Sequence, residues 1–208
     1  MGEIIIMIIF LKGECKMSIS IEQLELSKLD TNKHKDMVKK VIFNVINELT
    51  ERASNHDNTK LESPEVELFA EYGPKLKGLT YGSDEYNKCK IEMGKALQHH
   101  YQHNRHHPEH FKDPILLCVH CNSQILKPEE YKCPHCNNVL KVKECYTVNK
   151  MNLVDIVEMF CDWYASCKRH DNGDIYKSID INKKRFLISN ELCDIFENTA
   201  KLFKENNI

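Results

Sequence analysis

DPILLCVHCNSQILKPEEYKCPHCNNVLKVKECY, residues 113–146, is the stretch on which the fold turns. It carries two C-x-x-C pairs, Cys118/Cys121 and Cys133/Cys136, with eleven residues between them. Each pair turns tightly enough to aim two thiolates at one point, and two such knuckles complete a tetrahedron of sulfur. Four soft thiolates select zinc and leave no coordination position open for chemistry. Bound metal also supplies the folding free energy that a segment of about 35 residues lacks. Strand-like Ile115-Leu116-Leu117 and Val139-Leu140-Lys141-Val142 flank the knuckles. The segment is therefore expected to be a β-rich ribbon holding one structural zinc ion through Cys118, Cys121, Cys133 and Cys136. A redox dithiol and chance spacing are the competing explanations. His120 and His135, inside the knuckles, are bystanders.

On both sides of this segment the apolar spacing is helical, and glycine and proline are scarce at 7 and 6. Val38, Val41, Ile42, Val45, Ile46 and Leu49 recur at the spacing of an amphipathic helix, with His34 four residues earlier on the same inward face. Ser63-Pro64-Glu65 has the cap, proline and acid of a helix start. A third helix opens at Ser83 or Asp84 with Met93, Ala96 and Leu97 on its buried side. Continuing its phase to Pro108 brings His100, Asn104 and His107 to that side and leaves His99 and His106 off it. From Asn152, the residues Leu153, Ile156, Val157, Phe160, Cys161 and Tyr164 form one apolar face. A last helix after Ser189 is expected to bury Leu192, Ile195, Phe196, Leu202 and Phe203. The expected fold class is all-α: one helical domain over residues 18–112 and 147–208, split in sequence by the ribbon at 113–146. Residues 1–17 are expected to be an N-terminal extension, since Met17-Ser18-Ile19-Ser20 looks like a natural start; a packed tail is the alternative.

A chain of 208 residues fits one medium domain with a small insertion. The net charge of -2 creates no global field toward nucleic acid or an anionic membrane. Of ten cysteines, six lie scattered outside the knuckles, with no disulfide framework, so a reducing cytoplasm is the expected setting. The apolar run Ile4–Leu11 is far shorter than the roughly 20 residues of a membrane span.

A second constellation points to chemistry. His34 is followed by the pair His56-Asp57, then by histidines at 99, 100, 103, 106, 107 and 110, and finally by Asp155, Glu158 and Asp162 on one stripe of a helix. Taken singly these mean little: a His-Asp dipeptide is common, an acidic stripe is ordinarily solvated, and a histidine run can be a loose surface tract. The order of the elements, however, resembles the HD superfamily of metal-dependent phosphohydrolases. HDNTKLESPE (56–65), HHYQHNRHHPEHF (99–111), MNLVDIVEMFCDWYAS (151–166) and KSIDINKKRF (177–186) are similar to an uncharacterised HD-like family of bacteria and their phages. Its recurring elements are HD-x-[ST]-K, N-x-HHPE and EM-x-x-DW, and the resemblance covers most of residues 30–203.

The resemblance implies an HD-like helical bundle in which imidazoles and carboxylates hold divalent metal such as Mn²⁺, Fe²⁺, Co²⁺, Ni²⁺ or Zn²⁺. His34, His56 and Asp57 match the first three ligands, and the fourth is Asp162 of the EM-x-x-DW element or Asp155. His100, His106 and His107 are candidates for a second ion or for phosphate contacts. A metal lowers the pKa of bound water toward neutrality and so provides a nucleophile for phosphorus. Lys60, Asn104, Arg169 and Arg185 are candidate partners for an anionic substrate. Glu158 is a candidate general base or an orienting partner. Arg52, one helical turn before His56, suits either a phosphate contact or a salt bridge.

The expected function is hydrolysis of a nucleotide or other phosphorylated small molecule, in a bacterial cell or a phage-infected host. The alternative is a non-catalytic metal or nucleotide-binding module whose ribbon docks a protein or nucleic-acid partner. Direct nucleic-acid binding ranks lower: Lys127, Lys132, Lys141 and Lys143 of the ribbon are offset by Glu129, Glu130 and Glu144, with Tyr131 the one aromatic between the pairs.

Overall fold

The computed structural model describes residues 6–7, 18–80, 83–169 and 173–206. Apart from Ile6 and Met7, the expected extension at 1–17 lies outside the described residues. The chain divides into two compact units, residues 1–50 and 51–208.

In the first unit, β1 (Ile6–Met7) pairs antiparallel with β2 (Ser18–Ile19). Helix α1 (Ile21–Asn55) starts there and continues past the division. Its start is set by Ser20 and Gln23: the Ser20 hydroxyl accepts from the Gln23 amide at 3.1 Å, and the Gln23 side chain accepts from the Ser20 amide at 2.9 Å. This reciprocal pair satisfies two amides that the helix cannot. The amphipathic spacing gives the expected helix but not the expected burial. None of the residues of α1 is buried, and His34 is exposed.

In the second unit, a turn of 3-10 helix (Asn58–Leu61) leads to α2 (Glu65–Lys77), α3 (Asp84–Glu92) and α4 (Gly94–His103). Ser83 caps α3, accepting from the Tyr86 amide. One continuous helix was expected from here to Pro108. Instead the chain breaks at Met93 and leaves the helix again at Asn104, whose side chain folds back on the His100 carbonyl at 2.9 Å. A further 3-10 turn (Pro108–Phe111) precedes β3 (Ile115–Cys118) and β4 (Val142–Cys145), which pair antiparallel from Ile115 opposite Cys145 to Cys118 opposite Val142. The second strand therefore begins where the expected one ended; Val139 makes only an isolated bridge to Lys132.

Helices α5 (Leu153–Lys168), α6 (Ile175–Phe186) and α7 (Asn190–Glu205) complete the unit. Asn152 and Asp155 form a capping box at the start of α5. Asp174 and Ser189 cap α6 and α7. The main core is Met159, Phe160 and Tyr164 of α5, Ile175, Ile179 and Phe186 of α6, and Cys193, Phe196 and Ala200 of α7. Phe160 and Phe196 stack with ring centroids 5.0 Å apart. Four positions depart from the expected apolar faces: Leu153, Cys161, Ile195 and Leu202 are exposed. The packed side of α7 runs Cys193–Phe196–Ala200, and at about 100° per residue Leu202 lies roughly 150° from the centre of that side. Among the described residues, no helix is long and apolar enough to cross a membrane.

Candidate metal centre

The site starts at a bend in the backbone. Leaving α1, the chain reaches Asp57 in the left-handed conformation, φ 57°. Aspartate is one of the few residues with a side chain that adopts this region readily. The bend leaves His56 and Asp57 directed at the carboxyl end of α4 and one side of α5.

The two Asp57 oxygens face different partners. Oδ1 lies 3.4 Å from His100 Nε2 and 3.6 Å from His106 Nε2, and His100 Nε2 is 2.9 Å from His107 Nε2. Oδ2 lies 3.5 Å from His56 Nε2, which is 3.7 Å from Asp162 Oδ1. Two groups able to hold a metal ion thus share one carboxylate: Asp57, His100, His106 and His107 on one side, and His56, Asp57 and Asp162 on the other. Ligands about 2.1 Å from an ion and 90–110° apart are roughly 3.0–3.4 Å from one another, close to the spacings here. Asp57 Oδ1 and His106 Nε2 are moreover buried without a hydrogen-bond partner. Buried polar atoms are costly when unsatisfied, and a cation between these two would satisfy both.

Carboxylates behind the rings set which nitrogen points inward. Glu158 Oε1 is 3.0 Å from His56 Nδ1 and 3.2 Å from His106 Nδ1, while Arg52 donates to Glu158 Oε2 at 3.0 Å. Fully buried Glu65 on α2 takes His100 Nδ1 at 2.9 Å and His99 Nδ1 at 2.7 Å. At His56 and His100 the hydrogen-bonded Nδ1 directs Nε2 to the centre, the arrangement that orients metal-binding histidines generally, whereas His106 Nδ1 lies near Glu158 without a hydrogen bond. Glu65 was read from sequence only as a helix-start acid; its separation from His100 by 35 positions gave no periodic signal.

Charge follows the same division. Burial, with Lys60 adding to it, lowers the His100 imidazole to about 4, and burial with the neighbouring His106 and His100 holds His107 well below its ordinary value. Both are neutral, as ligands must be. His56 behaves oppositely: hydrogen bonds to Asp162 and then Glu158 push it up to about 10 against the effect of burial. Burial alone would raise the Glu158 carboxyl, but His106 and His56 outweigh it and keep it well below the usual carboxylate range.

The other sequence candidates take these places. Asp155, the alternative fourth ligand, is wholly engaged elsewhere: Arg105 grips both its oxygens at 3.0 and 2.9 Å, Arg52 adds a contact at 3.1 Å, and its carboxylate caps α5. Arg52 accordingly makes salt bridges rather than standing free for phosphate. His34 belongs to no metal-capable group among the described residues. Asn104 is buried, donating to Thr59 Oγ1 at 2.9 Å and to the His100 carbonyl, which makes it a brace for the site. Lys60 contacts Asp57 Oδ2 and lies over the Phe69 ring at 5.0 Å. Arg185 pairs with Glu109 at 2.6 Å, and Arg169 is exposed at the end of α5. His106, off the helical phase in sequence, is buried in the cluster because the helix stops at Asn104 before it.

The second cluster is Cys118, Cys121, Cys133 and Cys136, whose sulfurs lie within 4.8 Å of one another. The Cys118–Cys136 and Cys121–Cys133 sulfur separations are 3.9 and 3.7 Å. A tetrahedron with arms of about 2.3 Å has edges of roughly 3.8 Å. The two knuckles repeat one backbone design. The Cys118 and Cys133 amides each donate at 2.9 Å to the carbonyl five residues on, Ser123 and Asn138. The Cys118 and Cys133 carbonyls accept at 2.9 Å from Asn122 and Asn137, both in the left-handed conformation. Asparagine follows each second cysteine because it tolerates that conformation, a signal present in CVHCN and CPHCN. Hydrogen bonds from the Ser123 side chain and backbone draw the Cys121 thiol down to about 6.

A family profile matches residues 24–202, which span both clusters. The chain belongs to DUF5662, a family of unknown function. The DUF5662 match includes every residue of the Asp57-centred groups and all four knuckle cysteines. No curated protein and no solved structure matches the chain.

Proposed function

We propose that this member of DUF5662 is a divalent-metal-dependent phosphohydrolase of the HD type, acting on a nucleotide or other phosphorylated small molecule. One observation carries the proposal: the two oxygens of Asp57 face two separate histidine sets, so one carboxylate can bridge two cations. His100, His106 and His107 would hold one ion; His56 and Asp162 would hold the other. Divalent ions there would supply water of near-neutral pKa and an electrophilic partner for phosphoryl oxygen. The protein's part is to keep His100 and His107 neutral by burial, to aim the His56 ring through Glu158 with the same carboxylate 3.2 Å from His106 Nδ1, and to aim His100 through Glu65. Lys60 is the cation nearest Asp57 and the first candidate for a substrate phosphate.

The cysteine cluster is assigned a structural Zn²⁺, because four converging thiolates close the coordination sphere. Thiolates must stay reduced to hold it, which suits a cytoplasmic setting.

The test is phosphate release or nucleotide conversion with added Mn²⁺, Co²⁺ or Ni²⁺ across nucleoside mono-, di- and triphosphates, cyclic nucleotides and dinucleotides. Turnover by the intact protein, lost in His56→Ala and Asp57→Ala, is expected. Silence across that panel while the intact protein still binds the metal would overturn hydrolysis in favour of a binding module.

A further inference from the structure

The geometry points to a second function for α1: we infer that it is the dimerisation arm of the protein, pairing antiparallel with α1 of a second copy. Helices of globular proteins gain most of their stability by burying an apolar face. Yet α1 has 35 residues and buries none of them. Met37, Val38, Val41, Ile42 and Ile46 lie on one half of its surface and are 41–60% exposed, with half-buried Val45 and Leu49 at the middle of that half.

The occupant follows from three features. First, the patch has the right area. Five side chains that are half open, with the rest of Val45 and Leu49, offer roughly 600 Å² per copy, or about 1,200 Å² for a pair, where specific interfaces begin. Second, the seam is self-complementary. Val38, Ile42, Val45 and Leu49 are spaced 4-3-4, the spacing of a coiled-coil seam. It reads the same in both directions, so a two-fold axis between residues 43 and 44 sets Val38 against Leu49 of the partner subunit and Ile42 against Val45 of the partner subunit. Self-complementarity of this kind is what a two-fold dimer requires. Third, residues 21–50 carry five acids (Glu22, Glu25, Asp30, Asp36, Glu48) and five lysines (Lys28, Lys33, Lys35, Lys39, Lys40). A balanced helix neither repels its copy nor offers the basic excess that nucleic acid or anionic lipid would need.

The experiment is solution mass by light scattering on the full chain. The wild type should have twice the 24.4 kDa of one chain. The double variant Ile42→Glu/Val45→Glu should have the mass of one chain with its metal content and helical circular dichroism unchanged. Under mild oxidation, Ile42→Cys/Val45→Cys should form a covalent dimer, whereas neither single cysteine should exceed the wild-type background. A monomeric wild type, or a double glutamate variant that remains dimeric, overturns the inference. Efficient cross-linking of Ile42→Cys alone would overturn the antiparallel arrangement. Removing residues 1–17 tests the chain's own apolar start as the occupant. The dimer should survive that truncation; a monomer that aggregates only once truncated would refute the second copy.

Discussion

Replacing Glu158 with Gln is the sharpest perturbation of the proposed centre, because one carboxylate stands behind two ligand rings. It lies 3.0 Å from His56 Nδ1 and 3.2 Å from His106 Nδ1, the three forming a metal-capable group of their own, and in the proposed centre the two rings hold different ions. Losing an orienting partner typically lowers metal affinity about 10–100-fold per ligand. Because the two rings serve different ions, Glu158→Gln should weaken the binding of both ions, each by about 10–100-fold, or roughly 1.4–2.7 kcal/mol per ion. Glu65 supports only His100 among the candidate ligands, so Glu65→Gln should cost about 10–100-fold, roughly 1.4–2.7 kcal/mol. The assay is competition for Mn²⁺ or Co²⁺ against a chelating indicator, with thermal melting to check that both variants fold. Glu158→Gln should weaken the binding of both ions, whereas Glu65→Gln should weaken only that of the one held with His100. A Glu158→Gln variant that weakens one ion alone, or a Glu65→Gln variant that weakens both, would refute the assignment of Glu158 as the shared brace.

Four further outcomes are expected. Metal binding at His56 must expel the proton that Asp162 and Glu158 hold there up to about pH 10. Affinity should therefore rise about tenfold per pH unit between roughly 6.5 and 10, with proton release measurable by calorimetry in buffers of different ionisation enthalpy. In the metal-free protein the sign reverses: the raised His56 pKa contributes stability that is complete below about 6.5 and lost as pH climbs through about 10, which pH-dependent melting would follow. Asp155→Asn should destabilise the fold by roughly 2 kcal/mol, since it removes the charge that Arg105 grips and one of the two carboxylates paired with Arg52, and weakens the α5 cap, and should leave metal affinity within about twofold. Cys118→Ser should release the knuckle zinc and loosen residues 113–146 to hydrogen exchange, while the histidine-site ions remain.

Local signals carried most of the fold. The knuckle spacing located the ribbon, and capping residues located the starts of α3, α5 and α7 within a residue. Helix α6 was not separated out, although Ile175, Ile179 and Phe186 carry helical spacing, because buried Asn182 interrupts its apolar face. The clustering was legible to the extent that the candidate ligands come in motifs: His56, Asp57, His106, His107 and Asp162 stand inside them, and His100 lies on the helical phase that the structure brings to Asp57. What failed was extrapolation. Phase carried past Asn104 put His106 outside the site, because phase has no meaning once a side chain has ended the helix. Periodicity put His34 inside, because a pattern records which face is apolar and not whether anything covers it. Choosing between Asp155 and Asp162 required knowing where Arg105 reaches, a contact across 50 positions.

The most direct test of the Asp57-centred assignment is the metal content of the purified protein and of Asp57→Ala, measured by mass spectrometry after loading with Mn²⁺ and removal of free ion. The wild type should carry one knuckle zinc and up to two further ions, and Asp57→Ala should keep the zinc and lose the others. Equal metal content in the two proteins would contradict the placement of a metal centre at Asp57.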